Sequence, residues 1–579
     1  MKSYIDGEVA LSGLSNGVNG AELEKGFMAR KFQFVTRFLF CWLCAAAGCG
    51  FIGGCSPQHY KDDADKEVYK IIDDKWNEDF GEKVNYKIGD VPPSPNDLQV
   101  EKAVPASGVV SLAESVAIAT AYNREYLTQK EALYLTALDL TLARYDFARQ
   151  WFGAIDAAYT NDSEDEKISA GGELGFDQLL ADGAAISTSI AIDWARFLTG
   201  DPDTSLASVL SASITQPLLR GAGRKIVQEN LTQAERNALY QLRAFSRFRK
   251  SFVVSIISDY YRVLQFRDSV TNAENNYNRR VESRQRLEME ADAGRTPRFE
   301  VDQARQSELD ALDSFVQLQR SYEQQLDEFK IQLSLPTDAN MVLDQNELKA
   351  LEKIGIVEPD YTLDAAIETA LLERLDLATV QDSVNDAERK VVVAADGLGA
   401  ELNLVGSAGV GSSGKTDFTR LQFHNGSYLL GLEADLPLDR KVERNAYRES
   451  LIALQQRERD YENAQDQVKL DVRQDYRLLG EAAERYRIQK NSLDLAERRV
   501  ESTKMLLAAG RAQTRDLLDS QDALVQAQNR VTAALVEHAV AKLNFFLNIE
   551  VLQVKPDGMW EQLKALEPEL ENSQCGKPS

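Results

Sequence analysis

The sequence contains the same order of elements twice. Gly294 and Gly510, each followed by arginine, align without a gap 216 residues apart. After both glycines, apolar and small residues recur at steps of three and four, which is the spacing of a coiled-coil seam. In the second copy this seam is Leu517, Ser520, Leu524, Ala527, Val531 and Ala534. A duplicated unit of this kind buries its apolar faces against a neighbouring copy, so a single globular core is not expected.

Each copy is predicted to hold opening helices, strands, a very long helix and a long helix. Predicted helices are 111–149, 225–292 and 298–334, then 362–396, 441–508 and 513–549. The 441–508 helix has no proline and would be roughly 100 Å long at about 1.5 Å per residue. Such a helix is stable only against neighbours of similar length. The predicted divisions are a leader over 1–54, a tether over 55–107, a first repeat over 108–338, a linker over 339–360, a second repeat over 361–550 and a polar tail over 551–579.

Between the helices the apolar period changes from seven to two. Residues within 151–217 and 400–438 alternate apolar side chains with small or acidic ones, and the two segments end near Pro217 and Pro437. We expect one strand pair in each repeat. The alternation is typical of a strand between lipid and water, and a half-buried soluble sheet would show it too. In a membrane, two strand pairs cannot close a barrel and open edges are not tolerated, so several copies would be needed.

The N-terminal region has the pattern of a secretory signal. A basic segment over 30–37 precedes the charge-free run 38–54. Cys55 follows two glycines, as in a bacterial lipoprotein processing site, which predicts a covalent lipid on its thiol. Cys49 is the alternative, cleavage without lipid is another, and Met28 is a second candidate start. After this leader no stretch of about 20 apolar residues occurs, so no membrane-spanning helix is expected in the mature chain.

Composition argues against several classes of function. The 91 acidic residues outnumber the 66 basic ones, and the resulting net charge of −25 disfavours nucleic acid as a partner. Three histidines are too few and too scattered for a metal cluster or for histidine acid–base chemistry. Residues 409–416 fit the P-loop pattern, but a nucleotide site needs a helix directly afterwards, and a strand begins about a dozen residues later. We therefore expect no catalysis, no metal and no cofactor other than the lipid.

The chain resembles the TolC-type outer membrane efflux protein family over residues 111–550. The duplication, the Gly-Arg turns at 294 and 510, and the prolines that end the strands carry the resemblance. So do the repeat starts, Ser-Leu-x-Glu at 111 and Thr-Leu at 362. The resemblance implies a mainly α fold with a membrane β-barrel. Three protomers, each giving four strands, would form one twelve-stranded barrel that continues into a helical tunnel across the periplasm.

The resemblance also implies location and partners. The protein would sit in the outer membrane, lipid-anchored and extending into the periplasm, as a homotrimer that contacts a periplasmic adaptor protein and an inner-membrane pump. Its function would be passive export from the periplasm to the exterior in tripartite efflux or type I secretion. The alternative is a secreted periplasmic coiled-coil scaffold or adaptor-like protein without a pore.

The second hairpin turn gives a candidate gate. Asp516 and Asp519 lie six and nine residues after Gly510, where the family prototype has aspartates that line the periplasmic entrance. The first repeat has Glu300 and Gln303 at these positions. A carboxylate ring at a constriction would favour cations. Acidic residues are also favoured at the start of any helix, so a purely structural role for these aspartates stays open.

The same turn departs from the family prototype. The prototype's tyrosine and arginine are replaced by Leu507 and Ala512, while Arg511 and Arg515 lie nearby. The hydrogen-bond pattern that holds the entrance therefore cannot be transferred from the resemblance.

Overall fold

The computed structural model describes residues 56–77, 80–83, 85–89, 104–105, 107–161, 166–197, 204–357, 361–413, 418–436, 438–554 and 560–562. The chain divides into two compact units, Met1–Glu67 and Val68–Ser579. Both repeats lie in the second unit. Cys55, Pro437 and residues 414–417 of the P-loop-like segment lie outside the described residues.

Long helices dominate the described part of the chain. They are α1 (Pro57–Lys75), α2 (Leu112–Tyr122), α3 (Arg124–Tyr145), α4 (Glu229–Asp292), α5 (Arg298–Gln332), α6 (Asn346–Ile354), α7 (Leu363–Glu373), α8 (Leu375–Asp396), α9 (Lys441–Ala508) and α10 (Thr514–Asn548). The long helix predicted over 441–508 is confirmed at both ends. Within the described ranges, no helix is both long enough and apolar enough to cross a membrane.

The repeat-start motifs are helix caps. The Ser111 hydroxyl accepts a hydrogen bond from the Glu114 amide, and the Glu114 carboxylate accepts one from the Ser111 amide, which is a complete capping box. In the second repeat, Thr362 accepts a hydrogen bond from the Ala365 amide. The motif therefore recurs because both opening helices must begin at a fixed residue.

Besides two short two-stranded pairings, the described strands form one six-stranded antiparallel sheet in the order β1–β2–β3–β4–β5–β6. They are β1 (Gln150–Asn161), β2 (Glu166–Leu179), β3 (Ala185–Phe197), β4 (Thr204–Pro217), β5 (Glu401–Gly411) and β6 (Ser427–Asp435). The prediction of one strand pair per repeat is therefore wrong for the first repeat, which contributes four strands. The second repeat contributes two. Pairing of β4 with β5 joins the repeats.

The extra hairpin, β1–β2, escaped prediction because glycine and alanine weaken its alternation. The glycines of β2 are explained by close contacts with the neighbouring strands. A Cβ on Gly175 would lie 2.5 Å from Cζ of Phe152 and 2.6 Å from the carbonyl oxygen of Thr188. A Cβ on Gly171 would lie 2.6 Å from Oδ1 of Asp156. The glycines are thus required by side chains and backbone of neighbouring strands, and they do not mark the end of a strand.

The main core lies where the opening helices meet the middle of the long ones. The largest buried side chains there include Tyr126, Phe245, Tyr260, Phe329, Phe545 and Phe546. The Tyr260 hydroxyl donates to the carbonyl of Val110 at 3.2 Å, which fixes the short parallel pairing of Val109–Val110 with Val342–Leu343. The predicted small-residue seam of α10 is confirmed, since Ser520, Ala527 and Ala534 are all buried.

Part of the predicted tether is folded. Helix α1 ends at Lys75, and from Val68 onward its apolar side chains Ile71 and Ile72 are buried. Trp76 follows and donates its indole N–H to the carbonyl of Gly81 at 2.7 Å. The polar composition of 55–107 hides these few apolar residues, so the packing of 68–77 and 80–83 within the predicted tether was not foreseen.

Candidate functional site

One face of the six-stranded sheet is apolar across every strand. Directly paired residues share a face, so the register assigns each side chain to one side of the sheet. The apolar face consists of Trp151, Ile155, Tyr159, Ile168, Leu174, Phe176, Ile186, Ile190, Ile192, Trp194, Leu206, Leu210, Ile214, Leu402, Leu404, Val410, Tyr428, Leu430 and Leu432. Ile155 is 90% exposed and Leu430 is 80% exposed. The charged residues on this face, Glu166 and Arg196, lie at strand ends.

Aromatic residues stand at both ends of the apolar face. At the helix end, the rings of Trp151 and Phe176 lie 5.2 Å apart. At the loop end are Tyr159, Trp194 and Tyr428. The eight residues from Trp151 to Tyr159 span about 26 Å of strand. An apolar band of about 25 Å between aromatic girdles is the pattern of outer-membrane barrel strands.

The opposite face is polar and has many small residues. Asp156, Gly171 and Asp193 are level with one another on β1, β2 and β3. The Oδ1 atoms of the two aspartates lie 2.6 Å and 3.1 Å from the place a Cβ on Gly171 would occupy. Glu173 and Glu433 belong to this face as well. The two faces of the sheet therefore differ sharply in polarity: one is apolar, and the other is acidic and rich in small residues.

Sheet and helices meet at a tight junction. β4 ends at Pro217, and a Cβ on Gly183, in the β2–β3 turn at φ +99°, would lie only 2.9 Å from Cγ of that proline. The Leu218 amide then donates to the carbonyl of Leu402 at 2.7 Å, and the Gly221 amide donates to Asp396 at 2.8 Å. These contacts join the point where the first repeat passes from strand to helix to the point where the second repeat passes from helix to strand.

The two hairpin turns have the same backbone conformation. Gly294 and Gly510 have φ of +74° and +66°, values that favour glycine. The Arg295 amide donates to the carbonyl of Glu290, and the Arg511 amide donates to that of Leu506, both at 2.8 Å. With the accompanying glycine bonds, this is the Schellman closure of a helix end. The Gly-Arg pairs are therefore the signature of two equivalent turns.

The candidate gate residues lie in different environments. Asp516 accepts a hydrogen bond from the Gln513 amide at 2.9 Å as part of a capping box, so its helix-start role is present. The side chain of Asp519 is 60% exposed and lies 3.8 Å from Nε of Arg515. Glu300 accepts a hydrogen bond from the Thr514 hydroxyl at 2.7 Å. The structure thus brings Glu300 to the start of α10 and connects the two turns.

A buried arginine that was not predicted from the sequence also joins the repeats. Arg280 of α4 is 1% exposed and donates to the Leu518 carbonyl at 2.8 Å and to Asp522 at 2.5 Å. Burial, with the adjacent Arg280 charge, lowers the pKa of Arg279. The signal that could have revealed Arg280 was the buried series Ala273, Asn276, Arg280, Ser283 and Leu287. Its steps of three and four place a charged residue on a seam position.

Two further polar pairs lie on the same helices. Asn272 donates to Asn529 at 2.9 Å, and the Thr532 hydroxyl donates to Asp268 at 2.7 Å. The inter-repeat stripe consists of Asp268, Asn272 and Arg280 of α4 with Asp522, Asn529 and Thr532 of α10. Hydrogen bonds in this stripe join the two repeats in a chain that lacks the family prototype's own turn residues.

The P-loop-like segment does not lead into an α-helix in the residues described after it. Residues 418–426 contain the three-residue 3-10 helix Phe423–Asn425, and β6 begins at Ser427. The Gln422 amide donates to the carbonyl of Gly411 at 2.9 Å, as in a loop that closes a β-hairpin. This agrees with the expectation of a loop between two strands.

Comparison with known proteins gives a family for the second repeat. Residues 366–543 match the family model described as outer membrane efflux protein. The predicted resemblance is confirmed. No match was found among curated protein sequences.

Solved outer-membrane channels share this efflux-protein fold. The Campylobacter jejuni CmeC outer membrane channel is 13% identical with a TM-score of 0.56, covering 78% of this chain and 87% of its own. VceC from Vibrio cholerae is 12% identical with a TM-score of 0.56, covering 76% and 96%. The open state of the Neisseria gonorrhoeae MtrE channel is 14% identical with a TM-score of 0.55, covering 81% and 96%.

Proposed function

We propose that this protein is the outer-membrane channel of a tripartite efflux or type I secretion system and works as a passive conduit from the periplasm to the exterior. The observation that carries the proposal is the sheet, with an apolar face between two aromatic ends and an acidic, small-residue face behind it. Lipid would cover the first face and water the second. A homotrimer would close the sheet, and the long helices would extend into the periplasm toward an adaptor protein and an inner-membrane pump.

Fractionation, conductance and one matched pair of variants test this function. The purified protein is expected in outer membranes and should form ion-conducting pores in planar bilayers. Ile155→Lys places a charge at the centre of the apolar face, where lysine costs about 2–4 kcal/mol at the bilayer midplane. Membrane assembly should therefore fall sharply. The control, Ala154→Lys, lies at the same height on the polar face and should assemble. Recovery of the unmodified protein from the soluble periplasm would favour the scaffold alternative.

A carboxylate ring at the periplasmic entrance is part of this proposal. In a trimer, Asp516, Asp519 and Glu300 would recur three times around the opening. Replacing both aspartates by asparagine keeps the side-chain shape and the Asp516 cap acceptor but removes their charge. We expect the concentration of divalent cation that half-blocks conductance to rise several-fold. Asp310→Asn on the exposed surface of α5 is the control. Unchanged block in the double variant would assign both aspartates to helix capping alone.

We also propose that Cys55 carries the lipid anchor. The prediction is that Cys55→Ser abolishes incorporation of radiolabelled palmitate while the protein remains exported. Cys49→Ser serves as the control and should label normally. Loss of label only in the Cys49 variant would mean that Cys49 is the lipidated residue. Absence of label in the unmodified protein would mean that the leader is cleaved without lipidation.

A further inference from the structure

The described sheet has two open edges, and their strands contain neither proline nor lysine. Strand β1 pairs only with β2 and strand β6 only with β5 among the described strands. Proline and lysine commonly protect an edge strand against pairing. Unpaired strand edges are not tolerated in hydrocarbon, because each free backbone group costs several kcal/mol. Each edge therefore requires a partner strand.

Strand direction identifies that partner as a second copy of this chain. β1 follows α3 and runs away from the helices, whereas β6 runs back toward α9. The sheet is antiparallel throughout. Placing β6 of one copy beside β1 of the next therefore continues the antiparallel pattern without a break. The apolar faces also stay on one side when even-numbered residues of β6 oppose odd-numbered residues of β1.

The observed register also fits closure into a barrel. A line drawn perpendicular to the strands from Trp151, at the helix end of β1, reaches Tyr428 at the loop end of β6. On the four strands between them, the line passes through Phe176, Thr188, Ala212 and Ala408. Setting Tyr428 of one copy beside Tyr159 of the next aligns the aromatic ends. With this placement, each copy of six strands, about 29 Å wide, joins the next copy with an offset of eight residues along the strand, about 26 Å. The resulting tilt of about 42° lies inside the range of about 35–45° for barrels.

We propose that three copies close a barrel of eighteen strands, with β6 of each copy paired to β1 of the next. The trimer rests on the proposed function, and the strand number rests on the six-stranded sheet. The resemblance implied four strands in each copy and twelve in the trimer. The β1–β2 hairpin adds two strands to each copy, which raises the total to eighteen. Because barrel diameter grows roughly linearly with strand number, the bore would be about 1.5 times as wide, and barrels of 16–18 strands leave an aqueous channel.

Cysteine cross-linking tests the junction. In a Cys575→Ser background, Ala157→Cys is combined in turn with Tyr428→Cys, Leu430→Cys and Leu432→Cys, which sample neighbouring registers on one face. We expect at least one pair, with Leu430→Cys in the register described above, to give disulfide-linked dimers and trimers on non-reducing gels. The matched control combines Ala157→Cys with Leu404→Cys, on the same face but one strand in from the edge. It should give no more cross-linking than either single variant.

The mass of the unmodified assembly in detergent completes the test. A trimer that cross-links supports eighteen strands. A dimer that cross-links would close with twelve strands and overturn the proposal. A conducting trimer in which none of the three pairs cross-links would place the β1–β2 hairpin outside the barrel, which overturns the proposal but leaves the channel function standing. An unmodified protein that neither conducts nor reaches the outer membrane would overturn the function itself.

Discussion

Replacing Arg280 by methionine is expected to raise the open probability of the channel, and with it the average conductance, by shifting the entrance toward its open state. The variant loses two charge-assisted contacts between the repeats, to the Leu518 carbonyl and to Asp522. A hydrogen bond to a charged group contributes about 1.5–3 kcal/mol. Since about 1.4 kcal/mol is a tenfold change in an equilibrium constant, the ratio of open to closed channels should rise about tenfold or more. Planar-bilayer recordings measure this ratio as open probability.

Arg280→Met is chosen so that loss of the contact is separated from loss of folding. The side chain of Asp522 is 54% exposed, so water can solvate it once its partner is removed, and methionine fills the space of the buried arginine stem. The trimer should therefore still form. Arg298→Met is the control. Arg298 is exposed and lies near the turn at Gly294, and its replacement removes one positive charge, as Arg280→Met does. Equal conductance of Arg280→Met and the unmodified protein would mean that the inter-repeat stripe holds the helices together without setting the entrance.

Replacing Gly175 by valine is expected to abolish assembly of the barrel. The new Cβ would lie 2.5 Å from the Phe152 ring, 2.6 Å from the Thr188 carbonyl oxygen and 2.8 Å from Cβ of Ser189. A ring can rotate away, but a backbone carbonyl inside a ladder cannot move without breaking its pairing. Overpacking of this kind costs about 1–3 kcal/mol or more in each protomer. The fraction that migrates as an oligomer on unheated gels measures the loss.

Gly172→Val is the matched control on the same strand. A Cβ on Gly172 would have its nearest neighbour, the Ala154 carbonyl oxygen, at 4.0 Å, and it would lie on the apolar face. This variant should assemble normally, because valine suits both the strand and its lipid-facing position. Normal assembly of Gly175→Val would show that the β1–β2 hairpin is not needed for closure.

The long helices were predictable because their signals are local. A long apolar periodicity without proline indicated the extent of α9, and the capping residues Ser111 and Thr362 marked the repeat starts. Small seam residues such as Ala527 and Ala534 were predictable for the same reason. Each of these signals depends on residues within a few turns of one another.

The missed features depend on residues far apart in the sequence. Gly171 and Gly175 look like strand breakers until Asp156, Phe152 and Thr188 are placed beside them on neighbouring strands. Arg280 looks like an ordinary surface charge until Asp522 of the other repeat approaches it. The turn glycines were found from the duplication and the acidic pair from the resemblance, whereas the Glu300–Thr514 contact required the two turns to be placed together.

Pairing between β4 and β5 has a consequence for the order of folding. The two strands are adjacent in the sheet, yet Pro217 and its partner Asn403 are separated by the helices α4 to α8. Strands β1 to β4 are local hairpins and can pair as soon as they are made, whereas contacts between distant residues form slowly. The β4 edge must therefore stay unpaired until the rest of the first repeat and the opening helices of the second repeat, α7 and α8, are available. This unpaired edge is where an incompletely folded chain is most exposed to pairing with a wrong strand.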